Sequence, residues 1–104
     1  MANAHRGEIE AELSGRRYVL CLTLGALAEL EHAYGGEDLI AIAQRFEQGK
    51  IGAVDAIRVI GAGLRGAGHV VSDDEVAAMT TEGGAQGFLA IVVKLLRATF
   101  AGEG

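Results

Sequence analysis

The chain has 104 residues, of which 50% are apolar, and its nine Lys and Arg against fourteen Asp and Glu give a formal net charge of −5. This length predicts a single domain over residues 1–104, and the apolar content predicts a packed core and excludes a disordered chain. An acidic balance gives no general attraction to nucleic acid or to an anionic membrane surface.

The N-terminus lacks the apolar stretch of a secretory signal. No apolar run approaches the roughly 20 residues that a membrane-spanning helix needs. The one cysteine, Cys21, cannot form an internal disulfide, so nothing indicates an oxidising compartment. We therefore expect a cytoplasmic protein that does not enter a membrane.

Residues 8–13 alternate strictly between Glu and an apolar residue, which is the pattern of a half-buried strand. Ser14 and Gly15 form a turn signal, and residues 16–22 are rich in strand formers. We predict an antiparallel hairpin over residues 8–22, with Glu–Arg pairing on its exposed face. The second-strand residues expected to face the core are Tyr18, Leu20 and Leu22.

After Thr23 the sequence predicts helices separated by glycines. Thr23 is placed to cap the first helix, and Ser72 with Glu75 forms a capping box. Leu24 and Val54 are assigned to apolar stripes, and the last helix is expected to lie centrally because its stripe is the widest. The predicted helices span 24–34, 38–48, 53–66, 73–81 and 85–100. The expected fold class is α+β, mostly α, with an N-terminal β-hairpin followed by four to five short helices packed in a small bundle.

The segment Gly61-Ala62-Gly63-Leu64-Arg65-Gly66 matches the G-x-G-x-x-G pattern of dinucleotide-binding loops. In such loops the glycines follow a strand and open a helix, whereas here residues 54–60 have helical periodicity. The motif therefore falls at a helix C-terminus, where the helix dipole disfavours phosphate. We expect it to serve close helix packing or a glycine-lined contact surface, with nucleotide binding as the remote alternative.

No other constellation indicates catalysis or metal binding. The histidines His5, His32 and His69 are far apart and lack zinc-ligand spacing. Cys21 lies in an apolar strand, where cysteine behaves as a small hydrophobe rather than as a nucleophile. We predict no catalytic residue, no cofactor and no metal site, and keep a small metal-binding protein only as a remote alternative.

The basic residues form no broad nucleic-acid footprint. Arg16 and Arg17 lie beside the acidic strand, where cross-strand pairing accounts for them. Arg58 and Arg65 are seven residues apart, hence on one side of the third helix. That side is expected to be a solvated face, or else a contact for an acidic partner.

Several ordinary motifs occur together in a family-specific order. They are Asn3-Ala4-His5-Arg6-Gly7-Glu8, Leu22–Glu31, Gly61–His69 and Ser72–Val76. With them the chain resembles the small tail-associated protein of bacterial gene transfer agents, which are phage-like particles encoded in alphaproteobacterial genomes. That family is grouped with phage tail tube proteins and tail assembly chaperones.

The resemblance implies a non-enzymatic role in building the tail, and it offers no catalytic residues. Tail tube subunits are strongly β-rich, so a chain with two predicted strands favours a tail assembly chaperone or adaptor. Its partner would be the tape-measure protein or the major tail protein, met in the cytoplasm during assembly. The alternative is a structural subunit retained in the mature tail. The candidate partner surface comprises Arg58, Gly61, Leu64, Arg65, Gly68, His69, Arg16 and Arg17.

Overall fold

The computed structural model describes residues 2–3 and 6–100, so His5 lies outside the described residues. Within them the chain forms an antiparallel hairpin followed by five helices, which confirms the predicted fold class. The elements in chain order are β1 (Glu8–Leu13), β2 (Arg16–Cys21), α1 (Leu24–Ala33), α2 (Leu39–Glu47), α3 (Ala53–Gly66), α4 (Asp73–Ala77) and α5 (Gly84–Phe100). None of the helices described is long and apolar enough to cross a bilayer.

The hairpin closes through the two-residue turn Ser14–Gly15, which places Leu13 opposite Arg16. Both turn residues have positive φ, 54° and 79°, as a type I′ turn requires. The register puts the apolar residues of both strands on one face, which packs on the helices. Its buried members are Ile9, Ala11, Leu13 and Leu20, followed by Leu22, with Tyr18 half-buried.

Helix α3 shares the central position that the sequence predicts for the last helix, α5, which packs against β1, β2, α2 and α3. Helix α3 packs against β2, α1, α4 and α5, and its residues 59–64 are buried without interruption. Helix α5 has no buried residue before Ile91. The wide stripe of α5 is thus buried in its second half, and small residues let several neighbours approach α3 closely.

Two apolar residues assigned to buried stripes are exposed instead. Leu24 is 84% exposed and Val54 is 59% exposed. The buried stripe of α1 runs through Ala26 and Leu30, which turns Leu24 towards solvent. The buried stripe of α3 begins at Ala56, which does the same for Val54.

The predicted helix caps are confirmed. The Thr23 hydroxyl accepts a hydrogen bond from the Ala26 N–H, and Ser72 and Glu75 form a reciprocal capping box. Helix α4 ends at Ala77 rather than at residue 81, because Thr80 and Thr81 bind the hairpin. Ser14 N–H donates to the Thr80 carbonyl at 2.7 Å, and Thr81 Oγ1 donates to the Glu12 carbonyl at 2.7 Å.

Candidate interaction surfaces

Arg65 is the centre of an ion cluster that joins three helices. Its guanidinium contacts Glu29 of α1 and Asp73 of α4, each at 3.1 Å, and donates to the Val71 carbonyl at 2.9 Å. Burial lowers the pKa of Arg65, but the bonds to the two carboxylates outweigh it and the pKa is raised overall. Arg65 is therefore a structural cation engaged inside the fold, not a free ligand for an acidic partner.

The three motif glycines face three different neighbours. A Cβ on Gly61 would collide with Asp73 Oδ1, and one on Gly63 would lie 2.7 Å from Leu95 Cδ2. A Cβ on Gly66 would collide with the Cys21 carbonyl oxygen. The motif lies at the C-terminal half of α3, as predicted, and its glycines let that helix approach the hairpin, α4 and α5 closely.

Arg58 lies beside α1 rather than on a solvated face. Its guanidinium stacks on the Tyr34 ring, 5.2 Å from the centroid. The Tyr34 hydroxyl donates to Asp55 Oδ1 at 2.6 Å, and Asp55 Oδ2 accepts from the Gly52 N–H at 2.8 Å. Burial, followed by the bond to Asp55, raises the pKa of Tyr34. This cluster fixes the C-terminus of α1 to the start of α3.

A second aromatic cluster lies at the turn end of the hairpin. The Arg16 guanidinium lies 5.4 Å from the Tyr18 ring centroid, and the His69 ring meets Tyr18 edge-on at 5.1 Å. These residues line an open cavity of about 310 Å³ together with Val70, whose side chain is fully exposed. On the opposite face of the hairpin, Arg17 pairs with Glu10 at 2.9 Å, which confirms the predicted Glu–Arg pairing.

The eight candidate surface residues do not form one surface. Leu64 is fully buried, so including it was wrong, because the inner stripe of α3 faces the core at that position. Gly61 is covered by Asp73 and Arg65. Arg58 and Arg65 are engaged with α1, which leaves one group at the hairpin turn and the end of α3. Its members are Arg16, Gly68 and His69, whereas Arg17 lies on the opposite face of the hairpin, paired with Glu10.

An apolar groove that no sequence pattern indicated lies between α3, α4 and α5. The groove has a volume of about 290 Å³, and every side chain in its lining is apolar. Small residues leave the space open, and half-buried large residues form its walls. The walls are Ile51, Ile57, Met79, Phe88 and Leu89, and the small residues are Ala53, Ala56, Ala77 and Ala85. These alanines come from three separate helices, so no single sequence pattern marks the groove.

The described part of the chain offers little reactive chemistry. Among residues 2–3 and 6–100, no group of three or more His, Cys, Asp or Glu is placed to hold a metal ion. Burial, followed by the charge of Glu8, raises the pKa of Cys21, and the nearby Arg6 lowers it by less. The Cys21 thiol is therefore kept in its neutral, weakly nucleophilic form.

Comparison with known proteins gives one match that covers nearly the whole chain. A family model described as "Phage tail tube protein, GTA-gp10" matches residues 6–102. This match confirms the resemblance to a tail-related protein of gene transfer agents. Neither the curated proteins nor the solved structures contain a match to the chain.

Proposed function

Because the chain belongs to the GTA-gp10 family of phage tail tube proteins, we propose that it is a non-enzymatic structural subunit of a gene transfer agent tail, retained in the finished particle. The observation that carries this proposal is the extent of the family match, residues 6–102. On this proposal the protein works by contact with other tail proteins and needs no cofactor. Assembly takes place in the bacterial cytoplasm, and the tail is the final location.

Several arginines are engaged with other groups of the same chain. The Arg65 and Arg97 guanidinium groups are bound to carboxylates of the same chain, and Arg58 is stacked on Tyr34. The groove between α3, α4 and α5 offers an accessible apolar surface for contact with another protein. We propose Arg16, Gly68 and His69 as a further contact group at the turn end of the hairpin, and Arg17 as a separate contact on the outer hairpin face, where it is paired with Glu10.

A tail assembly chaperone is the second candidate function, and the groove is the observation that favours it. Its apolar walls fit an apolar helix of the tape-measure or major tail protein. The chain also has only a two-stranded sheet among its described residues, which offers little β-structure from which to build a tube wall. The family description favours the retained subunit, so the chaperone stands second.

Quantitative mass spectrometry of purified particles separates the two functions. A retained subunit is expected at a fixed copy number relative to the major tail protein. Absence from finished particles, together with loss of tails when the gene is deleted, would instead establish a chaperone.

A matched pair of variants tests whether the groove binds another tail protein. Ile57→Lys places a charge in the groove wall, whereas Val54→Lys lies one turn earlier on α3 and is 59% exposed. If the groove binds another tail protein, Ile57→Lys abolishes co-elution with the tape-measure or major tail protein and Val54→Lys does not. Equal behaviour of the two variants would exclude the groove as the contact.

A further inference from the structure

The main-chain groups of the hairpin point alternately inward and outward. In a hairpin with a two-residue turn the closing pair, Leu13 and Arg16, is hydrogen-bonded, and every second pair after it is too. The N–H and C=O groups of the intervening residues therefore point away from the partner strand. On β1 these outward residues are Glu8, Glu10 and Glu12, and on β2 they are Arg17, Val19 and Cys21.

The outer edge of β1 is covered at both ends. Glu8 N–H donates to the Asn3 carbonyl at 3.1 Å. At the other end Thr81 Oγ1 donates to the Glu12 carbonyl, and the Ser14 N–H donates to the Thr80 carbonyl. A further strand cannot pair along β1 without displacing these segments.

The outer edge of β2 is open over Arg17–Val19. Gly66 of α3 lies against the Cys21 carbonyl and blocks that end of the strand. Among the described residues nothing bonds to the outward main-chain groups of Arg17 and Val19. An open strand edge is a template for another strand, and proteins commonly cover or charge such edges.

We propose that a second copy of this chain pairs along β2, antiparallel to it and centred on Tyr18. Arg17 and Val19 stand one residue on either side of Tyr18, so a two-fold axis there places Arg17 opposite Val19 of the second copy. Each such pair exchanges both of its main-chain hydrogen bonds. The open groups of one copy are thus complementary to themselves, as an isologous interface requires, and the result is a four-stranded sheet.

The side chains beside this edge are compatible with a second copy. The Arg17 charge is matched by Glu10 at 2.9 Å, and the Arg16 guanidinium is stacked on Tyr18. Val70, fully exposed in the single chain, lines the cavity that also contains Tyr18 and His69. A second copy that pairs at Tyr18 would shield Val70 from water. This pairing does not depend on the proposed role in the tail.

Sedimentation equilibrium over a concentration series tests the proposal on the full chain. We expect a species of twice 10.8 kDa at high concentration. Val19→Pro removes an outward N–H, which edge strands tolerate, and is expected to give a monomer at every concentration. Glu12→Pro is the matched control, because Glu12 lies opposite Arg17 and loses an outward N–H on the covered edge. It should still dimerise, and circular dichroism would verify that both variants fold.

Two further variants keep the test decisive if a proline disrupts folding. Val70→Asp alters a fully exposed side chain and is expected to abolish the dimer without lowering the free energy of unfolding. Tyr18→Cys, in a Cys21→Ser background, is expected to form a disulfide-linked dimer under oxidising conditions. Residues opposite each other at a non-hydrogen-bonded position have Cα atoms about 4.5 Å apart, within disulfide range.

Glu12→Cys in the same background lies on the covered strand and should remain unlinked. A wild-type chain that stays monomeric up to its solubility limit would overturn the proposal. So would a dimer that survives both Val19→Pro and Val70→Asp, since its interface would lie elsewhere.

Discussion

The Asp73 carboxylate lies against helix α3 at the place where a side chain on Gly61 would begin. A Cβ at Gly61 would collide with Asp73 Oδ1, which is bound in turn to the Arg65 guanidinium at 3.1 Å. Gly61 and Arg65 are one helical turn apart, so the glycine opens the space in which the Arg65–Asp73 ion pair forms. The G-x-G-x-x-G segment therefore makes room for an ion pair that attaches α4 to α3.

The motif glycines are expected to differ in their tolerance of alanine. In Gly66→Ala the new Cβ meets the main-chain carbonyl of Cys21, which cannot rotate away, so the free energy of unfolding falls by about 2 kcal/mol. In Gly61→Ala the Asp73 side chain can turn aside, and alanine regains up to about 1 kcal/mol of helix propensity. Urea denaturation of the two variants measures the difference. Equal urea midpoints of the two variants would show that the main chain of β2 moves away from a new Cβ as readily as the Asp73 side chain does.

Tyr34→Phe is expected to lower the free energy of unfolding by about 1 kcal/mol, because the 2.6 Å bond to Asp55 is lost. Tyr18→Phe is the control, since no described residue bonds the Tyr18 hydroxyl. Burial and Asp55 raise the pKa of Tyr34 in the folded state, so its contribution to stability is present below the unfolded pKa of about 10 and lost as pH rises. If the free energy of unfolding falls equally in the two variants, the Tyr34–Asp55 bond does not stabilise the fold.

The Glu47–Arg97 ion pair joins α2 to α5, and we expect this contact to weaken at acid pH. Arg97 donates two hydrogen bonds to the Glu47 carboxylate, at 2.9 and 3.0 Å, which lowers the pKa of Glu47. Because the pKa of Glu47 is lower in the folded state, the ion pair adds to the free energy of unfolding above the unfolded pKa of about 4.3. This contribution is lost as pH falls. NMR titration of the carboxyl carbon should show this pKa rising in Arg97→Gln. Arg45→Gln, which breaks a different pair, should leave it unchanged.

Cys21 is expected to react slowly with iodoacetamide in the folded chain. Burial and the charge of Glu8 raise its pKa, so the inflection of the pH–rate profile should lie higher than in the urea-unfolded chain. The folded state keeps its thiol proton longer, and the free energy of unfolding therefore declines as pH rises past the unfolded pKa of about 8.5. Glu8→Gln should move the inflection down, and Glu12→Gln should not. An inflection shared by the folded and unfolded chains would contradict the environment described for Cys21.

Local signals in the sequence predicted local structure well. The Glu–apolar alternation, the Ser14–Gly15 turn and the Ser72–Glu75 capping box each depend on a few adjacent residues, and the structure contains all three. The incorrect predictions concern which face of a helix is covered by a neighbouring element. Leu24 and Val54 have helical spacing, but spacing alone does not reveal which stripe a neighbouring element buries.

The candidate site was harder to predict for the same reason. Arg65 looked like a surface cation because its partners, Glu29 and Asp73, come from distant parts of the chain. Leu64 was assigned to a surface through the motif that contains it, although the inner stripe of α3 buries it. The groove exists only where three helices meet around small residues, and no single segment of sequence displays that arrangement.

The bonds from Thr80 and Thr81 to the hairpin also set an order of events during synthesis. Strands β1 and β2 leave the ribosome before the threonines that cover the turn end of β1, which follow more than sixty residues later. Through that interval the turn end of β1 lacks the cover that Thr80 and Thr81 provide. The turn end of β1 is therefore protected against strand exchange only after the α4–α5 connection has been made and closes over Glu12 and Ser14.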